Sequence, residues 1–494
     1  MVREREQGGC MSSRILCGSS LMAIMALAWH GEVWASGIVA SAAAATTDLG
    51  FSLLAAWLVF LIPAGLIMMA VGASEVEGAT TVAVVGLVAV ALGVIAYALI
   101  GFGFQFGGLG LVSSLRGATE LVSEWSPMDR AWGPGWGIIG LDGFIVVRET
   151  HDANLLALFL YQAALAATAV CIPLLALARR LRFLALLGLG LMFAALVYPI
   201  YGNWVWGGGW LSQLGTTLGL GHGFIDFAGS GTIHALGGFF ALAGILVFGV
   251  RLQKRENAAA PPPVHFPLLA LLGAFLLLPG WFGLVAGNPL LTGNVSEVRI
   301  LVNVLLAACG GILVGTLYIW FAAGYPDLLM VARSMVASLV AISASCAFVP
   351  PWAALAIGAL AGLLVPLSIY LFEVRLRLDD PTSGIAVHGI SGLWGLTALG
   401  IFADGASGQG WNGVGTGEYL TVAGQGVSGL LVKSGFQPDW PQQSYAQIAG
   451  VVALLLLGLA LSWLVFRALN GFVGRVAGLR SQIAASDGHA SGDE

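Results

Sequence analysis

The chain has 494 residues, of which 58% are hydrophobic and 9% are charged, and its formal net charge is −5. Soluble globular domains carry about 25% charged residues, so this composition excludes a soluble enzyme. An acidic chain also lacks the basic surface that binds phosphate backbones, which excludes a nucleic-acid partner. The composition predicts an all-α polytopic membrane protein, in which many of the 71 glycines allow helices to pack closely in lipid.

Residues 1–47 are predicted to be a signal peptide and leader. Arg3, Arg5 and Arg14 form a charged first region. The apolar run 15–29 that follows is shorter than the roughly 20 residues that span a bilayer, and small residues come after it, as in secretory signals. An uncleaved first helix is the alternative.

Eleven apolar segments after the leader are long enough to span a membrane. They are 49–72, 81–106, 153–178, 184–206, 227–250, 265–287, 300–323, 329–348, 352–372, 384–403 and 445–469. The two longest connections are 107–152 and 404–444. The first is predicted to be an ordered outer cap, and the second a flexible Gly/Ser-rich loop.

The positive residues predict the orientation of these spans. Removal of the leader would place the mature N-terminus outside and the C-terminus in the cytoplasm. Cytoplasmic segments are enriched in Lys and Arg, and the segments then expected inside hold Arg179, Arg180, Arg182, Arg251, Lys254, Arg255, Arg333, Arg375, Arg377, Arg467, Arg475 and Arg480. The outer loops hold fewer, namely Arg116, Arg130, Arg148, Arg299 and Lys433. We therefore expect a multi-pass protein of the cell (inner) membrane.

The cysteines show no CxxC or other metal-ligand spacing. Cys10 and Cys17 lie in the leader, whereas Cys171, Cys309 and Cys346 lie far apart in apolar runs. We expect all of them to be small packing residues.

Two segments of the chain match each other. Residues 226–238 read DFAGSGTIHALGG and residues 380–392 read DPTSGIAVHGISG, so that an Asp precedes a His by eight positions in both. The two copies open the fifth and the tenth span and therefore enter the membrane from opposite sides. This is the pattern of an inverted repeat, spans 1–5 against 6–10, with span 11 added.

Inverted repeats place their functional site near the membrane midplane. We expect His234 and His388 each about two turns inside a helix, where they would meet close to the pseudo-twofold axis. Polar side chains at that depth are costly and mark a cavity or a partner. Asp380 is predicted to be a structural helix cap. Asp226 is predicted to be either a cap alone or a cap that also attracts a cation to the outer mouth.

These motifs resemble the ammonium transporter family (Amt/Mep/Rh). The stretches that carry the resemblance are VYPIYGNWVWGGGWL (197–211), DFAGSGTIHALGG (226–238), GWFGLVAGN (280–288), LDDPTSGIAVHGISGLWGLTALGIFA (378–403) and ARRLRF (178–183). The resemblance covers about 48–470, which we take as one transmembrane domain followed by a cytoplasmic tail, 471–494. It implies a homotrimer with one pore in each subunit.

The resemblance also implies roles for single residues. His234 and His388 match the twin pore histidines, and Asp226 matches a structural and recruitment aspartate. Trp206 matches the aromatic residue of an outer cation site, and Asn288 falls where that site usually has a serine.

The family's two stacked phenylalanines fall on Leu165 and Leu284, so the gate is aliphatic in this chain. Tyr161, one turn before Leu165, keeps an aromatic ring nearby and is a candidate for substrate binding.

The resemblance therefore predicts that the protein is a transporter, not an enzyme, and that it has no cofactor. Ammonium, or its analogue methylammonium, would be recruited outside and deprotonated, and neutral ammonia would pass the histidines. Transfer of a bare cation from water into a low-dielectric interior costs on the order of 20 kcal/mol in the idealised limit. An apolar pore therefore blocks the cation but not neutral ammonia.

Three alternatives stay open from the sequence: an ammonium sensor, an Rh-like neutral gas channel, and a haem protein ligated by His234 and His388. The tail GLRSQIAASDGHASGDE (478–494) has only a faint likeness to tails that bind PII signalling proteins, so we expect weak or absent binding of such a regulator.

Overall fold

The computed structural model describes residues 49–113, 115, 117–144, 152–249, 266–290 and 295–470. Within these ranges the protein is an all-α polytopic membrane protein with four very short strands. The predicted leader 1–47 and the predicted cytoplasmic tail 471–494 lie outside the described residues.

Ten helices of the described ranges are long and apolar enough to cross a membrane, and one further apolar helix has 15 residues. In chain order they are α1 Leu49–Ala73, α2 Val76–Leu111, α3 Ala153–Leu177, α4 Phe183–Trp206, α5 Ser230–Phe248, α6 Pro267–Ala286, α7 Glu297–Ala323, α8 Leu328–Ile342, α9 Pro351–Arg375, α10 Ile385–Phe402 and α11 Gln442–Asn470. These eleven helices match the eleven predicted spans one to one.

The eighth helix is shorter than predicted. The expected span 329–348 is wrong in length, because α8 ends at Ile342 and turns fill 343–349. Hydrogen bonds from other helices hold these turns: the Asn303 side-chain amide donates to the carbonyls of Cys346 and Val349, 2.8 Å each. Non-helical backbone at membrane depth is tolerated where protein surrounds it, and Cys346 and Val349 are fully buried.

The packing of the helices follows the predicted inverted repeat. In the first half α2 packs against α3 and α4, and α5 packs against α3. In the second half α7 packs against α8 and α9, and α10 packs against α8 in the same way. Helices α1 and α6, which begin the two halves, pack against each other, and α5 crosses α10.

The crossing of α5 and α10 requires two glycines, each four residues after a histidine. A Cβ atom on Gly238 would lie 2.6 Å from the backbone nitrogen of Gly389. A Cβ on Gly392 would lie 2.3 Å from the carbonyl oxygen of Ser230. Close backbone approach through small residues is the usual way in which membrane helices associate, and here it brings the two histidine-bearing turns together.

The two ends of the bundle are distinguished by their polar residues. The outer end carries Trp206 and Asp226, with the loop between α10 and α11. The inner end carries Arg180, which forms a 3.0 Å ion pair with Asp379 and donates to the carbonyl of Gly249 at 3.0 Å. The names follow the predicted orientation.

Both long outer loops contain folded structure. In the first, β1 (Glu124–Trp125) pairs with β2 (Ile139–Gly140). The second, 404–444, is folded rather than a flexible loop: β3 (Glu418–Tyr419) pairs with β4 (Val422–Ala423).

Buried polar contacts explain the order of the second loop. Gln425 exchanges hydrogen bonds with the backbone of Gln437 at 2.7 and 2.8 Å. Asp404 forms an ion pair with Arg299 at 2.6 Å, which ties the loop to α7.

The cysteine prediction is correct for two of the three described residues. Cys171 and Cys346 are buried, whereas Cys309 is exposed on the surface of α7. Cys10 and Cys17 lie outside the described residues.

Gly392→Ala is expected to lower the thermal denaturation midpoint of the purified protein. The added methyl group meets the α5 backbone, and overpacking of this kind costs about 1–3 kcal/mol. Gly188→Ala in α4 is the matched control, because, apart from the backbone of its own helix, no atom of the described residues lies within 4 Å of the Cβ position there. Equal midpoints for the two variants would contradict the close crossing.

Candidate pore with paired histidines

His234 and His388 meet in the interior of the bundle. Their Nδ1 atoms lie 3.1 Å apart, and the ring planes are nearly parallel, with 5.1 Å between centroids. His234 is fully buried and His388 is 6% exposed. The predicted pairing is therefore present in the structure.

Each histidine lies about one turn inside its helix, not two as predicted. Both helices begin with a π-helical turn, Ser230–Ala235 and Ile385–Ile390, and each turn contains the histidine. π-Helical turns inside helices frequently occur at functional sites. The same irregularity thus recurs in both halves of the repeat.

The shared hydrogen bond sets the protonation pattern of the pair. A neutral imidazole has one donor and one acceptor nitrogen. If one Nδ1 donates and the other accepts, the Nε2 atom of the first ring is an acceptor and that of the second is a donor. His234 Nε2 is buried, and within the described residues it has no hydrogen-bond partner.

Trp281 of α6 completes this cluster and was missed from the sequence. Its ring stacks on His234, with centroids 5.0 Å apart and planes 7° apart. Its indole N–H donates to the Ser343 hydroxyl at 2.8 Å, in the turn that ends α8. In the sequence its only mark is that it is a tryptophan within the apolar segment 265–287.

Asp226 caps α5 with both carboxylate oxygens. Oδ1 accepts the backbone N–H of Gly229 at 3.1 Å. Oδ2 accepts the backbone N–H groups of Gly231 and Thr232 and the Thr232 hydroxyl, at 3.0, 2.7 and 2.8 Å. The carboxylate is therefore occupied by the helix start. Attraction of a cation by its charge stays a prediction.

Asp380 holds the start of α10 in the corresponding way. Its two oxygens accept the backbone N–H groups of Gly384 and Ile385 at 3.0 and 2.8 Å. These contacts are those of the predicted structural cap. The two aspartates of the repeat thus fix the two helices that carry the histidines.

Trp206 and Asp226 are joined at the outer end. The half-buried indole of Trp206 donates to the backbone carbonyl of Asp226 at 2.7 Å. Asn288, the residue expected opposite the tryptophan, uses its side-chain oxygen to accept the backbone N–H of Leu290 at 3.0 Å. That oxygen retains a second lone pair for another donor.

Leu165 and Leu284 are both buried, at 2% and 1% exposure. The Tyr161 hydroxyl donates to the backbone carbonyl of Leu284. Because Tyr161 lies one turn before Leu165 on α3, this bond places both leucines in one region of the core. Neither faces lipid, as a plain leucine of the bundle surface would.

A cavity of about 40 Å³ begins at His388 and is lined largely by apolar side chains of α1, α3 and α8. Its polar lining consists of His388, Thr382 and Arg333. A water needs about 10–15 Å³ of such volume, so the cavity holds roughly three small molecules. Thr382 and Arg333 belong to the inner end, and the cavity therefore extends from the histidines toward that end.

His222 is a buried histidine outside this region. It lies in the outer loop before α5, with its ring against Tyr419 at 4.5 Å between centroids. Burial lowers the pKa of His222 to about 4, so this side chain is neutral at physiological pH.

An inverted repeat of membrane helices around a buried polar pair is typical of membrane transport proteins. The chain belongs to the ammonium transporter family, because the model described as Ammonium Transporter Family matches residues 50–486. This family consists of transport proteins.

Individual relatives agree with this assignment. Ammonium transporter Amt2 of Archaeoglobus fulgidus is 37% identical over 365 residues, which cover 73% of this chain and 72% of that protein. A solved structure titled "Sensor Amt Protein" is 28% identical, with a TM-score of 0.68 over 86% of this chain and 93% of that one. The crystal structure of Candida albicans Mep2 shares the fold, with a TM-score of 0.66 at 23% identity over 88% of this chain and 85% of that one.

Asp226→Asn is expected to reduce stability. The asparagine side chain has one acceptor oxygen instead of two. Its NH2 group must therefore face either the Gly229 N–H or the donors of Thr232, and an unsatisfied buried donor costs about 1–3 kcal/mol. Thermal denaturation of purified protein measures the effect. An unchanged midpoint would mean that the carboxylate does not cap α5.

Proposed function

We propose that this protein transports ammonium by recruiting the ion at its outer end, removing a proton and passing neutral ammonia along the histidine pair. The observation that carries the proposal is the Nδ1–Nδ1 contact of His234 and His388 in an apolar core. Membership of the ammonium transporter family supports ammonium and ammonia as the substrates.

Recruitment is assigned to Trp206, Asp226 and Asn288. The face of a tryptophan ring attracts a cation by roughly 0.5–2 kcal/mol, depending on desolvation. Asn288 supplies a side-chain oxygen, and the Asp226 charge lies within the same mouth. A weak site is suitable here, because the ion must move on.

The gate is assigned to Leu165 and Leu284. Leucine side chains offer no ring quadrupole, so they give a cation no compensation for the water that it sheds. Tyr161 holds the backbone at Leu284 through its hydroxyl group. A dry aliphatic constriction favours the neutral molecule over any ion that cannot lose a proton, such as potassium.

The histidine pair is assigned two tasks. Its acceptor Nε2 takes a hydrogen bond from ammonia, and its donor Nε2 gives one to the nitrogen lone pair. The acceptor Nε2 also takes the proton that ammonium gives up; the Nδ1 proton of that ring then crosses the Nδ1–Nδ1 bond, and the far Nε2 releases its own proton. The pair then transmits one proton without holding a permanent charge.

The surroundings of the protein are part of the proposal. We place it in the cell inner membrane as a multi-pass homotrimer, with the N-terminus outside and the C-terminus cytoplasmic. The distribution of Lys and Arg supports this orientation. The faint tail motif supports weak or absent binding of a PII-type regulator.

A sensor is the second candidate, because a structure titled "Sensor Amt Protein" resembles this chain at 28% identity. An Rh-like gas channel would carry ammonia without handling a proton or methylammonium. A haem between the histidines fits poorly, because their Nδ1 atoms lie at a hydrogen-bond distance of 3.1 Å, which leaves no room for an iron between them.

His234→Ala and His388→Ala are each expected to reduce methylammonium uptake at least about tenfold in cells that lack their own transporters. Each change removes one half of the relay. His222→Ala is the matched control, because it removes a buried neutral histidine outside the pore, and its uptake should stay near that of the wild type.

Near-normal uptake in both pore variants, at equal amounts of membrane protein, would refute the histidine mechanism. No uptake by the wild type, with ammonium binding retained, would favour the sensor.

The double change Leu165→Phe and Leu284→Phe is expected to lower the half-saturation concentration for methylammonium uptake. Two ring faces would stabilise the cation as it sheds water. The larger side chains overpack the core, which costs about 1–3 kcal/mol of folding stability. Thermal stability is therefore measured alongside uptake. A folded double variant with unchanged or weaker half-saturation would exclude these positions from the outer site.

A further inference from the structure

The inner cavity carries one charged side chain on its wall. In the sequence, Arg333 contributes only to the positive charge expected on the cytoplasmic side. In the structure it lies in the first half of α8, where its half-buried side chain lines the same cavity as His388 and Thr382. Among the described residues that line this cavity, Arg333 alone carries a formal charge.

We propose that Arg333 is a selectivity residue that excludes cations from the inner cavity, so that only neutral ammonia occupies the pore between His388 and the inner end. The inference rests on the proposed function for its meaning in transport. The exclusion itself rests on one arginine side chain in the wall of a small cavity whose other described lining residues carry no formal charge.

The acidic residues near Arg333 are not among the described residues that line the cavity. Asp327, Glu373 and Asp380 are close enough to interact with it electrostatically. Asp327 accepts the backbone N–H of Met330 at 2.7 Å, and Asp380 caps α10. The guanidinium also donates to the carbonyl of Pro381, at 3.5 Å.

The size of the cavity makes this charge effective. A cation inside about 40 Å³ cannot keep a full hydration shell or move away from the guanidinium. Coulomb repulsion is weakly screened in such a space and strong at contact distances. A neutral ammonia molecule does not meet this barrier.

The direct test measures the local potential by thiol modification of purified protein. Thr382→Cys places a thiol on the cavity wall. Its rates with an anionic and a cationic methanethiosulfonate reagent are compared by intact mass, with the parent protein as background for native cysteines. The anionic reagent is expected to react faster.

Arg333→Gln in the Thr382→Cys protein should lower the anionic-to-cationic rate ratio by about tenfold or more. Arg333→Lys, which keeps the charge, should leave the ratio within about twofold. Arg375→Gln is the matched control, since Arg375 is an exposed arginine of the same end that does not line the cavity. An unchanged ratio in a folded Arg333→Gln protein would overturn the proposal.

Flux in proteoliposomes tests the consequence for transport. Arg333→Gln should raise methylammonium efflux relative to uptake, because the cation can then approach His388 from inside, whereas Arg333→Lys should not. A lowered modification ratio with an unchanged flux ratio would overturn the role in selectivity. Absence of flux through the wild-type protein would instead refute the proposed function, while the modification ratio still decides whether Arg333 excludes cations.

Discussion

The fold depends on one constraint: two imidazole rings in an apolar membrane interior must satisfy each other. An unpaired buried polar group costs several kcal/mol in such surroundings. The 3.1 Å contact between His234 and His388 meets part of that demand, and it requires α5 and α10 to approach at backbone distance. The glycines four residues after each histidine permit this approach. The aspartate caps then fix where each helix begins.

A small polar molecule can form hydrogen bonds with the ring nitrogens of the pair that do not contact each other. Each ring keeps one nitrogen that is not engaged with the other ring, and the two nitrogens have opposite character. A neutral molecule with both N–H groups and a lone pair complements them, whereas an alkali cation does not. The leucines on one side, and on the other a largely apolar cavity with Arg333 in its wall, extend the same preference along the pore.

Much of this arrangement is predictable from the sequence, since apolar length fixed the number of helices and the Asp–His repeat predicted the central pair. The early end of α8 is not predictable, because the turns that follow it are held by hydrogen bonds from Asn303 in another helix. The π-helical turns leave no trace in hydrophobic periodicity, so the sequence places each histidine one turn too deep in its helix. Loop 404–444 has a composition typical of flexible chain, and its order depends on buried partners such as Gln425. Trp281 and Arg333 acquire their roles only from tertiary contacts.

The tautomeric state of the histidine pair tests the central claim most directly. Solid-state nuclear magnetic resonance of the protein in lipid, with 15N-labelled histidine and His222 replaced to simplify the spectrum, reports which ring nitrogens are protonated. The account predicts two neutral rings of opposite tautomer for His234 and His388, with magnetisation transfer across an Nδ1–H···Nδ1 hydrogen bond. Two rings of the same tautomer, or two rings without that transfer, would contradict it.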